Sequence, residues 1–284
     1  CTKITLYTRW SPALTTLLTP ANGTQSVRIG NLRYHVLPCD LQNDLLKIAS
    51  TLDDVIEGGI FQKHSKKTTA SLFKVGETTV FGKHVRFHQK AFGLRFRYFV
   101  QPSRSFWTIV VAKKLEEAGL ATPKVLAVGE RRTLELISDS YIITEALKDA
   151  QTASAALRTQ PNSYELLQNA GRLLRRLHDA GMAHGDIKLA NFYVQGDSMG
   201  FWDLDSAMVF SDQTPQKWII RDLGRLLSSF ILTVDDMPQT QDYFRNTPEI
   251  AQVLADAYGT DVQTFLPSYY SYWLKKIKLK HDFG

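Results

Sequence analysis

Apolar positions along this chain change their spacing twice. Between Ser26 and Val36, apolar and polar residues alternate as in a strand with one buried face. After Asp40, a capping residue, Leu41, Leu45, Ile48, Leu52 and Ile56 recur at helical spacing, and Gly58-Gly59 ends the run. Residues 1–57 therefore read as an N-terminal extension packed on a small lobe of strands. The strand signals begin at Gly59. Gly59–Gln62 and Ala70–Val75 flank a polar loop, His64–Thr69; Gly76-Glu77 is a turn; Thr78–Val85 is a third strand. Phe106, Trp107, Val110, Val111 and Leu115 place one helix over Ser103–Ala118, and Gly119 stops it. Pro123–Glu130 and Ser140–Leu147 read as two more strands. Beyond residue 147 the spacing turns helical. Asn162 and Glu165 form a capping-box pattern, with Leu166, Ala170, Leu173 and Leu177 on one face and Gly181 at the end. Another helix is expected over Pro215–Leu232, with further helical segments after it. The order predicts an α+β protein: a strand-rich lobe over 58–147, a connector near Glu145–Leu147, and a helical lobe over 148–284. A ligand is expected in a cleft between such lobes.

Composition adds exclusions. A chain of 284 residues is long enough to bury a sizeable core, and 44% apolar with 22% charged residues is ordinary for a globular protein. No apolar run approaches the roughly 18–20 residues of a membrane span; the most hydrophobic helical stretch contains Arg221, Asp222 and Arg225. Two cysteines, Cys1 and Cys39, exclude a disulfide scaffold and a four-cysteine zinc site. The net charge of +6 is uneven, being concentrated in Lys83–Arg104 and in the aromatic, lysine-rich stretch Tyr269–Lys280. Such patches attract anions, including nucleotide phosphate and an acidic membrane surface. No nucleic-acid motif accompanies the charge, so no nucleic-acid partner is expected.

The chemistry concentrates in HGDIKLANFYVQGDSMGFWDLD, residues 184–205. Asp186 sits on a loop after a long helix, where a carboxylate orients a hydroxyl and accepts its proton during phosphoryl transfer from a nucleotide. Asn191, five residues on, offers magnesium a hard oxygen. Asp203, twelve further, is expected at the end of a short apolar strand as the main metal ligand, with Asp205 on the opposite side by strand alternation. Lys83, ending the third strand, suits a nucleotide's α and β phosphates, with Lys74 as competitor. Lys188 is placed to hold the transferred phosphate. Asp222 lies where a helix would brace the motif's backbone, and His184 reads as a packed loop residue. The plain alternatives are a turn aspartate at 186, a solvated acidic loop at 203–205 and a surface lysine at 83.

HGDIKLANFYV and FWDLDSA resemble the catalytic and metal-binding segments of the lipopolysaccharide core kinases, the Kdo/WaaP family. The runs KHSKKTTASLFKVGETTVFGKHVRFHQKAFGLRFRYFVQPSRSFW, LEEAGLATPKVLAVGERR and YIITEAL resemble that family's small lobe in order and spacing, so the likeness covers about residues 58–232. It implies a bilobal protein-kinase-like fold, ATP, Mg2+, and transfer to a sugar hydroxyl of a lipopolysaccharide core or another anionic glycan. It also implies a peripheral location on the anionic cytoplasmic face of a bacterial inner membrane. Carried over by position, Lys83 pairs with phosphates, Glu145 stands at the hinge, Asp186 is the catalytic acid, and Asn191 and Asp203 hold the metal.

Three departures stand out. The loop His64–Thr69 has no glycine to bring backbone N–H groups to phosphate, which leaves that task to the side chains of Ser65, Lys66, Lys67 and Thr68. The helix Ser103–Leu115 has no acid to pair with Lys83. Lys188 follows a protein-kinase pattern. A core-sugar kinase is thus expected first; a kinase of protein or of another small molecule, and a pseudokinase-like binding module, are the alternatives.

Overall fold

The alternating first half of the chain builds one sheet. In the computed structural model, which describes residues 16–87, 98–99, 101–159, 163–236 and 247–272, its elements are β1 (Gln25–Ile29), β2 (Leu32–Val36), α1 (Gln42–Lys47), α2 (Leu52–Glu57), β3 (Ile60–Ser65), β4 (Thr68–Val75), β5 (Thr78–Arg86), α3 (Arg104–Glu117), β6 (Val125–Thr133) and β7 (Leu136–Glu145). The sheet is antiparallel, in the order β1-β2-β6-β7-β5-β4-β3. The described residues divide into two compact units: residues up to 114 with 123–147, and residues 115–122 with 148 onward.

Both faces of the sheet are covered because both faces are apolar. On one, Phe73, Val75, Val80, Tyr141 and Ile143 pack against Leu45, Leu52 and Ile56 of α1 and α2. On the other, Val125, Val128 and Ile142 meet Phe106, Ile109 and Val110 of α3. Each fully buried side chain of this size contributes about 1.5–3 kcal/mol. Polar bonds add to the first face: Asp53 pairs with Arg131 and accepts from the Tyr141 hydroxyl at 2.8 Å, and Glu57 pairs with Arg86.

Several boundaries differ from expectation. The single helix through Ile56 is broken into α1, a 3-10 turn over Ile48–Thr51 and α2. Thr51 donates its hydroxyl to the Ile48 carbonyl at 3.3 Å, the local competition by which Ser and Thr interrupt helices. Asp40 does not cap: Leu41 holds the N-cap position, with no side-chain bond. The break keeps Leu45, Ala49, Leu52 and Ile56 all buried. The polar loop His64–Thr69 shrinks to a turn of two residues, Lys66-Lys67, because β3 is an edge strand whose exposed positions tolerate polar side chains. Ser65 seals this turn, its hydroxyl accepting from the Thr68 N–H and donating to the Thr68 carbonyl, both at 3.1 Å. The strands expected over 123–130 and 140–147 shift to β6 and β7, joined at Leu134-Glu135, both at positive φ as a type I′ hairpin turn requires.

The second unit is mostly helical: β8 (Gln151–Thr152), α4 (Ala153–Thr159), α5 (Ser163–Asp179), β9 (Met182–Ala183), β10 (Phe192–Gln195), β11 (Ser198–Phe201), β12 (Met208–Val209), α6 (Gln216–Asp235) and α7 (Thr247–Tyr258), with residues 266–272 also helical. Two small sheets, β11-β10-β8 and β12-β9, interrupt the helices. Leu166, Ala170, Leu173 and Leu177 form the buried face of α5, and α7 packs on that helix. The capping residue Asn162, residues 88–97 and 100 of the basic run, and 273–284 of the C-terminal basic stretch lie outside the described residues. No helix among the described residues is long and apolar enough to cross a membrane.

Candidate active site

After β9 the backbone must turn sharply, and the sequence supplies Gly185 there. Its φ is +76°, and a Cβ would lie 2.3 Å from the Ser206 carbonyl oxygen, so only glycine fits. The turn is held from below by Asp222 of α6, which is fully buried. Its carboxylate accepts from the backbone N–H of His184 at 2.8 Å and of Gly185 at 3.2 Å, and its Oδ2 lies 3.4 Å from His178 Nε2. A buried carboxylate needs this saturation with donors. His184 is also buried, and its Nε2 lies 3.2 Å from the Trp202 carbonyl oxygen, tying this turn to the segment that carries Asp203. Burial pushes the His184 pKa below its ordinary value, against the opposing pull of Asp222, Asp203 and Asp186. The imidazole is therefore neutral and donates through Nε2.

The other motif residues hang on this frame. Asn191 is buried, and its Nδ2 donates to the Asp186 carbonyl at 2.8 Å, which leaves its Oδ1 as the acceptor end of the amide. The Asn191 carbonyl accepts from the Trp202 N–H at 3.1 Å, one residue before Asp203. Asp203 is in the left-handed region, at φ 55°, ψ 56°. That conformation costs a non-glycine residue about 1–2 kcal/mol, and residues so held gather at functional sites. β11 stops at Phe201 and Leu204–Ser206 is a 3-10 turn, so neither strand delivery of Asp203 nor alternation at Asp205 applies. The Asp186 carboxylate is partly exposed, with Oδ1 3.2 Å from Arg225 Nη1 and Oδ2 3.6 Å from Lys188 Nζ. Asp186, Lys188, Asn191 and Asp203 thus come together in one unit.

Sequence reasoning missed the cations of α6. Arg221 donates to the Gly185 carbonyl at 2.7 Å, and Arg225 donates to the same oxygen. Arg221 lies over the Trp218 ring at 4.7 Å and Arg225 over the Tyr272 ring at 5.2 Å. Burial, then the charge of Arg225, lowers the Arg221 pKa. Ser229 accepts from the Leu189 N–H at 3.0 Å. Residues 221, 222, 225 and 229 therefore line one face of α6 under the motif. Their helical spacing puts them on one face but does not say what that face meets.

The remaining candidates lie in the sheet unit. Lys83 pairs across strands with Ala70 and Ile142, so it stands on the α3 side of the sheet. The acids of α3, Glu116 and Glu117, are at its far end. Lys67 is the second turn residue; its carbonyl accepts from the Arg86 N–H at 2.9 Å, and its side chain is exposed. Glu145 ends β7 with its carboxylate accepting from the Lys124 N–H at 2.9 Å. Lys74 is exposed one residue before β4 ends.

Among the described residues no group of three His, Cys, Asp or Glu side chains is arranged to hold a metal. Asn191 and Asp203 instead offer two oxygen donors, on segments tied by the bond from the Trp202 N–H to the Asn191 carbonyl. That set suits an ion such as magnesium, which keeps waters and shares phosphate oxygens rather than entering a full protein cage.

A family model described as "Lipopolysaccharide kinase (Kdo/WaaP) family" matches residues 88–256. A 3-deoxy-D-manno-octulosonic acid kinase of Haemophilus influenzae is 32% identical over 140 residues, 48% of this chain and 58% of that protein. One from Pasteurella multocida is 29% identical over 137 residues, 48% of this chain and 57% of that protein. The chain thus spans little more than half the length of the curated relatives it matches. A solved structure, "WaaP in complex with acyl carrier protein", is 21% identical with a TM-score of 0.46, covering 73% of this chain and 90% of that one.

Proposed function

The chain belongs to the lipopolysaccharide kinase (Kdo/WaaP) family, and we propose that it transfers the γ-phosphate of ATP to a hydroxyl of an inner-core sugar of the 3-deoxy-D-manno-octulosonic acid or heptose type. The observation that carries this reading is the Asn191 amide. Its Nδ2 is bound to the Asp186 carbonyl, which leaves its Oδ1 outside that bond and supports a reading in which Asn191 and Asp203 supply a metal's oxygens near a partly exposed Asp186. The acceptor hydroxyl hydrogen-bonds the Asp186 carboxylate. Its oxygen forms the new bond to the γ-phosphorus while the bond from phosphorus to the bridging β-phosphate oxygen breaks. The hydroxyl proton passes to Asp186, and ADP leaves. Asn191 and Asp203 would hold Mg2+, which supplies neutralisation of phosphate charge. Lys188 steadies the transferred group, and Lys83 and Lys67 offer ammonium groups to nucleotide phosphates. Glu145 is assigned to the hinge by position. The basic composition supports a peripheral place on the anionic cytoplasmic face of the inner membrane.

The test is phosphotransfer from ATP to purified core oligosaccharide, with the product read by phosphorus NMR. Asp186→Asn is expected to lower kcat by roughly 10²–10⁴-fold, the usual worth of a general base. Equal rates for both proteins would remove Asp186 from the mechanism. Lys188 beside Asp186 also supports a protein acceptor. Mass spectrometry of the protein incubated with ATP alone, set beside the sugar assay, separates the two: autophosphorylation without transfer to sugar favours the protein acceptor, and transfer to sugar without it favours the sugar.

A further inference from the structure

We propose that Arg221 and Arg225 form a subsite for an anionic group on the acceptor, and that this group draws Arg225 away from Asp186 when the acceptor binds. The inference rests on the kinase reading above and adds residues that set acceptor specificity.

Three cations surround the motif's exposed side: Arg225 at 3.2 Å and Lys188 at 3.6 Å from the Asp186 carboxylate, and Arg221 on the neighbouring Gly185 carbonyl. Arg221 and Arg225 help hold the loop through the Gly185 carbonyl, but a neutral oxygen does not require cations. Asp222 already takes the His184 and Gly185 N–H groups, and Ser229 takes that of Leu189. One peptide oxygen receives two guanidinium groups, which puts like charges side by side, and an oxyanion between them would relieve that repulsion. The forks are oriented by aromatic rings, Trp218 under Arg221 and Tyr272 beside Arg225, so little freedom remains to be lost on binding.

In the resting arrangement, one Asp186 oxygen faces Arg225. A bidentate oxyanion on the acceptor is a better partner for an arginine fork. Exchange of partners turns that Asp186 oxygen towards the incoming hydroxyl. An acidic sugar thus completes the site, whereas a neutral one leaves Asp186 held by Arg225 and the fork without its anion. A polar site of this type discriminates strongly against an analogue lacking the recognised group. The chemistry needed is a pair of oxygens sharing negative charge. It is met by the carboxylate of an ulosonic acid or by a phosphate monoester already on the core.

The experiment compares KM and kcat for wild type, Arg225→Gln and Arg221→Gln on three acceptors: core ending in an ulosonic acid, the same core with that carboxylate reduced to an alcohol, and the acidic core treated with phosphatase. Arg225→Gln is expected to raise KM for the acidic acceptor roughly 10- to 100-fold, as for loss of a charge-assisted hydrogen bond, and to change it little for the reduced one. A wild-type preference abolished by reduction assigns the carboxylate; one abolished by phosphatase assigns the phosphate. Equal losses on all acceptors would make Arg225 a structural support and overturn the proposal. If Arg225→Gln does not fold by thermal melting, Arg225→Lys keeps the charge without the fork, and the rise in KM is expected to be smaller but again confined to the acidic acceptor. A binding arm needs no turnover: calorimetry with free 3-deoxy-D-manno-octulosonate and with inorganic phosphate. Should wild type transfer no phosphate to any core, the proposed kinase function fails. Binding of either anion by wild type and not by the variants would still support the subsite, and binding by neither would refute it.

Discussion

His184 shows how much a single side chain decides here. It is fully buried and neutral, with Nε2 committed to the Trp202 carbonyl and Nδ1 without a hydrogen-bond partner among the described residues. Because burial lowers its folded-state pKa, the unfolded chain binds the proton more readily. The associated stability is complete above the unfolded pKa, about 6.5, and is lost as pH falls towards the folded value. The melting temperature of wild type should therefore drop between pH 7 and pH 5 by more than that of His184→Gln, which starts lower but lacks the titrating group. Parallel curves would show that other groups govern the acid limb. The spacing of Asp186, Asn191 and Asp203 was legible in the sequence as a pattern of chemical types, and the structure brings the segments that carry them together. Arg221 and Arg225 were not, since two arginines four apart on a helix look the same whether they face solvent or a catalytic loop. The left-handed turn at Asp203 was hidden as well: the apolar run before it reads as strand, while the chain leaves the strand at Phe201.

At the scale of elements, α6 supports the whole motif. One helical face presents Asp222, Arg221, Arg225 and Ser229 to the loop between β9 and β10. Asp222→Ala would leave buried N–H groups of His184 and Gly185 unpaired and remove the carboxylate facing His178. A loss of about 3–5 kcal/mol in denaturant unfolding is expected, as for breaking a buried charged network, with Asp222→Asn intermediate. The helices α5 and α6 were legible from their apolar spacing, with ends misplaced by a few residues. Strand edges were less so. The β3–β4 connection read as a six-residue loop because its residues are polar, yet an edge strand accepts polar residues and the turn needs only two. The break between α1 and α2 was missed for a related reason: apolar spacing records which side is buried and says little about where a hydroxyl competes with the helix.

At the scale of the molecule, the N-terminal segment is part of the sheet unit's construction. β2 pairs with β6, and α1 and α2 cover a face that would otherwise expose Phe73, Val75, Val80 and Ile143. Removal of residues 1–57 is therefore expected to give protein that binds a hydrophobic dye or is recovered insoluble; a soluble, cooperatively melting product would contradict this. Another consequence comes from the Lys66-Lys67 turn. With the Ser65 hydroxyl spent on closing it, and no glycine to expose peptide N–H groups, any hold this turn has on a polyphosphate must come from ammonium ions on long, mobile chains. Attraction of that kind fades with added electrolyte, whose screening length shrinks from about 10 Å at 0.1 M to about 3 Å at 1 M. Nucleotide affinity should then weaken with potassium chloride, and Lys67→Gln should flatten the dependence.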